Sequence, residues 1–238
     1  MTIETRVSPA AGALPLDYYL LLDGPDGPAE RAEAVVVEEF VRAPDWWTVG
    51  LGSALWTPAA GWRSSASFSR AMRAAPEVRA RVRPVARDDA DRTHRRLGGG
   101  PLPDERALRT HLHDRQVFPA TAPLRLGDPE PPDGCHERRV YRVLFAGDLP
   151  TDRMAELAAR WWPAGARGGD GMPAGHGSFC DDRFSWTMRR IGGGVAWAVD
   201  LTVELARAAD DTVGPVLHEL TSTVRLAGLI PVTTERFS

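Results

Sequence analysis

The clearest pattern of hydrophobic and polar positions lies between Phe184 and Leu205. From Val195 to Leu205 every odd position is apolar, and the even positions are small or polar. Strict alternation of this kind predicts a strand with one face in a core. A similar alternation begins at Phe184, and three glycines at 192–194 separate the two segments. The pattern therefore predicts a β-hairpin.

Other elements of the C-terminal part surround this hairpin. The pattern predicts a strand at 139–146, a helix at 151–162, a Gly-rich loop at 163–183, a helix after Asp211 and a final strand at 229–234. The order β-α-β-β-α-β is typical of a ferredoxin-like sandwich, a four-stranded antiparallel sheet with both helices on one face. Its last strand lies at an edge, where Pro231 is tolerated.

The N-terminal part has a weaker pattern, with strands predicted at 16–22 and 48–56. Between them, apolar residues at every fourth position favour a helix over 28–42, but the β-branched run at 35–37 also fits a strand. With a helix there, the N-terminal part becomes a second, divergent ferredoxin-like unit. The other interpretation is a helical subdomain attached to one ferredoxin-like domain. Both belong to an α+β fold class.

Proline and glycine divide the chain. The segment GDPEPPDG at 127–134 is incompatible with a helix or a central strand. We therefore predict an irregular tail at 1–15, an N-terminal α+β subdomain at 16–126, a linker at 127–136 and a ferredoxin-like domain at 137–238.

Composition excludes several chemistries. All 29 basic residues are arginine, and the chain has no lysine and no asparagine, which indicates codon bias in a GC-rich bacterial genome. Enzymes that need a P-loop lysine, a Schiff-base lysine or a Cys-His-Asn triad are therefore excluded. The absence of a long apolar run, of a secretory leader and of a cysteine framework predicts a cytoplasmic protein without membrane contact. No cofactor is predicted.

A metal site is one interpretation of the cysteines and histidines. Cys135 and His136 lie in the linker, and His176 and Cys180 lie in the Gly-rich loop. Such side chains can together hold a zinc ion, but neither pair has the C-x2-C spacing of zinc sites. The spacing favours free thiols and surface histidines.

Two carboxylates and three tryptophans are the remaining candidates for a binding site. Asp200 and Glu204 share the polar side of the hairpin, where they act in acid–base chemistry or are simply solvated. Trp46, Trp47 and Trp162 lie in double tryptophans at element ends, which indicates either an interaction surface or packing between subdomains.

Positive charge is concentrated between residues 63 and 115, where 13 arginines face 7 acidic residues. This excess fits an acidic partner or nucleic acid, or is balanced by the rest of the chain. With no catalytic motif, the sequence favours a non-catalytic interaction or accessory protein of the immunity, assembly or regulatory type, with a protein partner. The alternative is a small-molecule-binding protein or enzyme, whose pocket lies between the halves and is lined by tryptophans and carboxylates.

Overall fold

The computed structural model describes residues 14–25, 28–118, 130–161 and 172–237. These residues form two antiparallel sheets and six α-helices, an α+β fold. The strands of the first sheet come from residues 17–117, and those of the second sheet come from residues 137–236.

The first half of the chain is built on a meander. Its strands are β1 (Asp17–Leu22), β2 (Ala32–Arg42), β3 (Thr48–Thr57), β4 (Gly61–Ser64), β5 (Val82–Val85) and β6 (Gln116–Val117). Its helices are α1 (Ala66–Ala74), α2 (Pro76–Arg79), α3 (Arg87–Arg96) and α4 (Glu105–Arg109). The strand order is β4-β3-β2-β1-β5, and β6 also pairs with β3.

The second half forms a five-stranded sheet. Its elements are β7 (Glu137–Ala146), α5 (Thr151–Trp161), β8 (Ala174–Phe179), β9 (Asp182–Ile191), β10 (Ala196–Leu205), α6 (Val213–Leu226) and β11 (Ile230–Arg236). The strand order is β11-β7-β10-β9-β8. Apolar residues of α5 and α6 share one core with a single face of this sheet, so both helices cover the same side.

The predicted hairpin is confirmed. β9 and β10 pair in register, with Phe184 opposite Val203 and Met188 opposite Val199. The glycines at 192–194 turn the chain, and all three have positive φ angles, which glycine adopts without steric cost. Trp197 is 1% exposed on the core side of β10, as the alternation requires.

The helix predicted over 28–42 is wrong, because most of this segment is β2. A spacing of four residues also satisfies a period of two, so Ala32, Val36 and Phe40 fit one face of a strand equally well. The run Val35–Val37 is buried on both faces of the sheet, which suits β-branched side chains. The first half is consequently a meander, and its strand order is not that of a second ferredoxin-like unit.

Part of the predicted Gly-rich loop is the edge strand β8. Its Gly175 lies against the ring of Trp186, where a Cβ atom would come within 2.6 Å of the ring. Glycine is therefore used here for close packing inside a strand, which the sequence pattern did not distinguish from a flexible loop.

Helix α6 contacts both sheets. Val213, Leu217 and Val224 pack into the core of the second sheet. From another side of the helix, Arg225 reaches the first sheet. In the described part of the chain, no helix is long and apolar enough to cross a membrane.

Candidate functional site

The two carboxylates of the hairpin lie on the helix-free face of the second sheet. Asp200 and Glu204 alternate with Val199, Leu201 and Val203. Those three apolar residues are buried in the core on the helix-covered side. We call the helix-free surface the open face. Its residues used below are Arg138, Arg142, Ala174, Ser178, Arg183, Ser185, Thr187, Arg189, Asp200, Thr202, Glu204 and Glu235.

Asp200 is held between two arginines from neighbouring strands. Arg142, directly opposite on β7, donates from Nε to Oδ1 at 2.6 Å and from Nη2 to Oδ2 at 3.0 Å. Arg189 on β9 places Nη2 2.6 Å from Oδ2. A two-pronged arginine–carboxylate contact fixes the orientation of both groups. The Asp200 carboxylate is therefore a structural anion at the centre of the open face.

Glu204 is paired in the same way. Arg183, directly opposite on β9, donates from Nε to Oε2 at 2.8 Å, and its Nη2 lies 3.1 Å from Sγ of Cys135. Arg138, opposite Glu204, and Glu235, opposite Arg142, lie on the same face by register. With Asp200 and its two arginines included, four guanidiniums therefore face three carboxylates. This part of the open face carries an excess of one positive charge. Ion pairing, rather than proton transfer, is what this arrangement supports.

The β9 side of the open face is exposed in the part of the chain that the structure describes. On β9 the outward residues Arg183, Ser185, Thr187 and Arg189 are all exposed, whereas the inward Phe184 and Met188 are buried. Asp200 and Glu204 are half-buried. The contacts that helix α6 makes with the first half lie on the helix-covered side. That these two carboxylates line a pocket between the halves stays a prediction.

The four residues of the predicted metal site are not gathered into a ligand set. Cys135 contacts Arg183, the backbone amide of His136 donates to the carbonyl of Leu205, His176 is exposed on β8, and Cys180 is exposed in the turn after β8. In the described ranges, no three His, Cys, Asp or Glu side chains lie close enough to hold a metal ion. Cys135 and Cys180 are both free thiols.

The tryptophans differ in their surroundings. Trp46 lies in the β2–β3 turn with φ of 73° and packs against the core of the second sheet. Its ring lies on Gly214 of α6, where a Cβ atom would come within 2.2 Å. Trp47 is half-buried beside it, and its carbonyl accepts a hydrogen bond from Ala43. Trp162 lies outside the described residues. Trp46 therefore joins the two halves.

Ionic contacts also join the halves. The Arg225 guanidinium donates from Nη1 to the carbonyls of Tyr18 and Val85, at 2.8 and 3.0 Å. Its Nε lies 2.9 Å from Oδ1 of Asp17 without a directed hydrogen bond, so this contact is an ion pair. Both side chains are under 10% exposed. A buried arginine with these partners fixes the position of α6 on β1 and β5.

A second buried ion pair lies beside the first. Glu38, directly opposite Asp17 in the β1–β2 ladder, accepts two hydrogen bonds from Arg73 at 3.1 and 2.7 Å and one from Ser69. Arg73 also donates from Nε to the carbonyl of Pro231 at 2.8 Å. Tyr19 is fully buried next to these charges. Burial and the adjacent Asp17 raise its pKa well above the ordinary value.

Two basic groups near Asp17 have lowered pKa values. Burial lowers the pKa of Arg42 to about 10, although Asp17 acts in the opposite direction. Burial also lowers the pKa of His218 on α6 below its ordinary value. Both residues are half-buried, and burial disfavours the charged form of a basic group.

The arginine-rich region 63–115 contacts the protein itself to a large extent. Five of its arginines form six ion pairs with carboxylates of the first half: Arg73, Arg81, Arg92, Arg95, and Arg109 with two partners. Others, such as Arg87 and Arg96, donate to backbone carbonyls. These contacts occur mostly within the first half. Many of the arginines in this region therefore stabilise the fold of the first half.

Sequence reasoning missed the buried pairs Asp17–Arg225 and Glu38–Arg73, because neither arginine has a sequence signal that separates it from the many others. It also missed the ring column in which Trp62 stacks between His94 and His111, with both centroid distances 5.9 Å. Comparisons with protein-family models, with curated proteins and with solved structures found no match for this chain.

Proposed function

We propose that this protein is a non-catalytic interaction protein that binds a partner protein on the open face of the second sheet. The observation that carries the proposal is the run of four exposed outward residues on β9, Arg183, Ser185, Thr187 and Arg189. The opposite side of the same strand is filled by the core and the two helices. A polar sheet surface of this kind presents hydrogen-bonding groups and charged groups on a regular backbone.

Charge indicates the kind of partner. The four guanidiniums on the open face exceed its three carboxylates by one, and Arg183 and Arg189 are more than 40% exposed. Positive surfaces steer acidic ones and select against basic ones. We therefore expect an acidic patch on the partner.

The carboxylate contacts favour binding over catalysis. A general acid or base must exchange its proton with a ligand. Asp200 and Glu204 are each engaged in an ion pair with arginine. Their role in this proposal is to orient Arg142, Arg183 and Arg189.

The architecture of the second half supports a ferredoxin-like unit. The order β11-β7-β10-β9, with α5 and α6 on one face, is the arrangement that β-α-β-β-α-β connectivity gives, and β8 extends it by one edge strand. The free thiols of Cys135 and Cys180 support a reducing compartment such as the cytoplasm. An accessory role of the immunity, assembly or regulatory type is consistent with a ferredoxin-like unit and with a reducing compartment.

Site-specific photo-crosslinking in the native host tests the proposal. A photoreactive residue at Thr187 should yield one dominant protein adduct, because this position is exposed at the centre of β9. The matched control is the same residue at Arg92, an exposed position on α3 in the first half.

A charge-reversal variant tests whether the positive charge of the open face attracts the partner. Arg189→Glu, combined with the probe at Thr187, should strongly reduce the adduct, because it reverses the charge beside Asp200. An adduct of equal yield from Arg92, or none from Thr187, would overturn the proposal.

A further inference from the structure

In the part of the chain that the structure describes, β8 is an edge strand without proline and without arginine, aspartate or glutamate. Within the described residues, it pairs with β9 on one side and with no strand on the other. Its consecutive residues 176–178 are exposed. Proteins normally protect such edges with charges, prolines, bulges or covering elements, because an open edge is a template for strand pairing.

The other edge strands longer than two residues show these protections. β5 contains Arg83 and Pro84, and β4 has four residues that include Arg63. β11 contains Pro231, and its Thr234 amide donates to Oγ1 of Thr48 in the first half at 3.0 Å. β6 also lacks charge and proline, but it has only two residues. Among the longer edge strands of the two described sheets, β8 is therefore the one without charge or proline.

The direction of the backbone groups of β8 follows from its pairing. The amide of Met188 donates to the carbonyl of Pro173 at 2.8 Å, immediately before β8. In an antiparallel ladder, bonded and non-bonded positions alternate. The odd positions of β8 therefore bond to β9, and the amides of Ala174 and Ser178 point to the outer edge.

We infer that β8 pairs with β8 of a second copy of this chain, as antiparallel strands around a two-fold axis. A two-fold contact brings identical residues together, so a strand without fixed charge suits it. Antiparallel pairing also places the turn with Asp181 from one copy near the end of β9 that carries Arg189 and Arg190 in the other. Opposite charges then meet at both ends of the contact.

The two five-stranded sheets thus join into one ten-stranded sheet. The open faces of both copies become continuous across the axis, which gives a partner two equivalent docking surfaces. The inference concerns assembly and goes beyond partner binding. The dimer forms whether or not the open face binds another protein.

Sedimentation velocity of the purified full chain over a wide concentration range tests the inference. The native protein should show a reversible monomer–dimer equilibrium. Ser178→Pro removes an edge amide without removing a bond to β9, so it should weaken self-association by about tenfold or more. Ser178→Ala is the matched control, which keeps the amide and should keep the dimer.

A second pair of changes covers the case in which the proline variant fails to fold, as judged by circular dichroism. Ala174→Lys and Ser178→Lys together place like charges on both sides of the two-fold axis and should also produce monomers. A native protein that stays monomeric at every concentration overturns the inference, as does a dimer that survives Ser178→Pro and the lysine pair. The crosslinking result at Thr187 does not depend on either outcome.

Discussion

The ring of Trp46 lies directly on Gly214, with no room for even one methyl group between the β2–β3 turn and α6. Trp46 also has a left-handed backbone conformation, φ 73°, which costs a non-glycine residue free energy unless packing compensates. The fit of this one ring against one glycine therefore positions the turn of the first half on the helix of the second.

Gly214→Ala should destabilise the protein by about 1–3 kcal/mol, because the added methyl group overlaps the Trp46 ring. The same change in a Trp46→Ala background should be neutral or stabilising, because the overlap is gone and alanine favours the helix. Urea unfolding of the native protein, the two single variants and the double variant measures the coupling free energy between Trp46 and Gly214. Equal effects of Gly214→Ala in both backgrounds would contradict the contact.

Arg225→Met should lower the free energy of unfolding by about 3–5 kcal/mol, because it leaves Asp17 charged and buried without its partner. Adding Asp17→Asn to the Arg225→Met variant should recover part of the lost free energy of unfolding. Arg92→Ala, which breaks an exposed ion pair with Asp89, is the control and should change stability by about 0.5 kcal/mol or less. Similar losses from Arg225→Met and Arg92→Ala would show that the Arg225 pair is not a major contact.

Stability should fall as the pH drops below the ordinary His218 pKa of 6.5. Burial lowers this pKa in the folded protein, and Arg225 and Arg42 act in the same direction against Asp17 and Glu219. The unfolded chain then binds more protons than the folded one between 6.5 and the lower folded value. The stabilisation is complete above this window and is lost within it as pH decreases.

Urea unfolding at several pH values between about 8 and 5 measures how the free energy of unfolding changes with pH. His218→Gln should flatten this dependence of the free energy of unfolding on pH. The Glu137 carboxyl, whose pKa is lowered mainly by a hydrogen bond from Arg139, adds its own dependence only below 4.5. An unchanged slope in His218→Gln would contradict the assignment.

The three tyrosines should resist ionisation in the native protein. Burial is the largest cause that raises each pKa, to about 12 for Tyr18, well above 10.0 for Tyr19 and above 10.0 for Tyr141. A spectrophotometric titration should therefore show little tyrosinate near pH 10, followed by a steep rise when alkali unfolds the chain. The urea-unfolded protein is the control, and native titration near pH 10 would show that these side chains are solvated.

The second half was the more predictable part of the fold. Its strand β10 has one buried and one open face, so alternation reveals it directly. β2 is buried on both faces, and Val35, Val36 and Val37 give no alternation. The helix prediction failed there because tertiary burial, not local pattern, determines this strand.

The open face was predictable in outline. The even positions of β10 placed Asp200 and Glu204 on the side away from the core, as the structure has them. Their arginine partners were not predictable, because pairing depends on strand register across the sheet. The same holds for Arg73 and Arg225, whose partners are 35 and more than 200 residues away along the chain.

Helix α6 has a consequence for how the chain can be divided. Its apolar side completes the core of the second sheet, while Arg225 provides an ion pair and two backbone contacts for the first. Two fragments separated near residue 127 would each expose half of these groups to water. They should act as complementing fragments, each ordered by the other, and the intact chain should melt in a single cooperative transition.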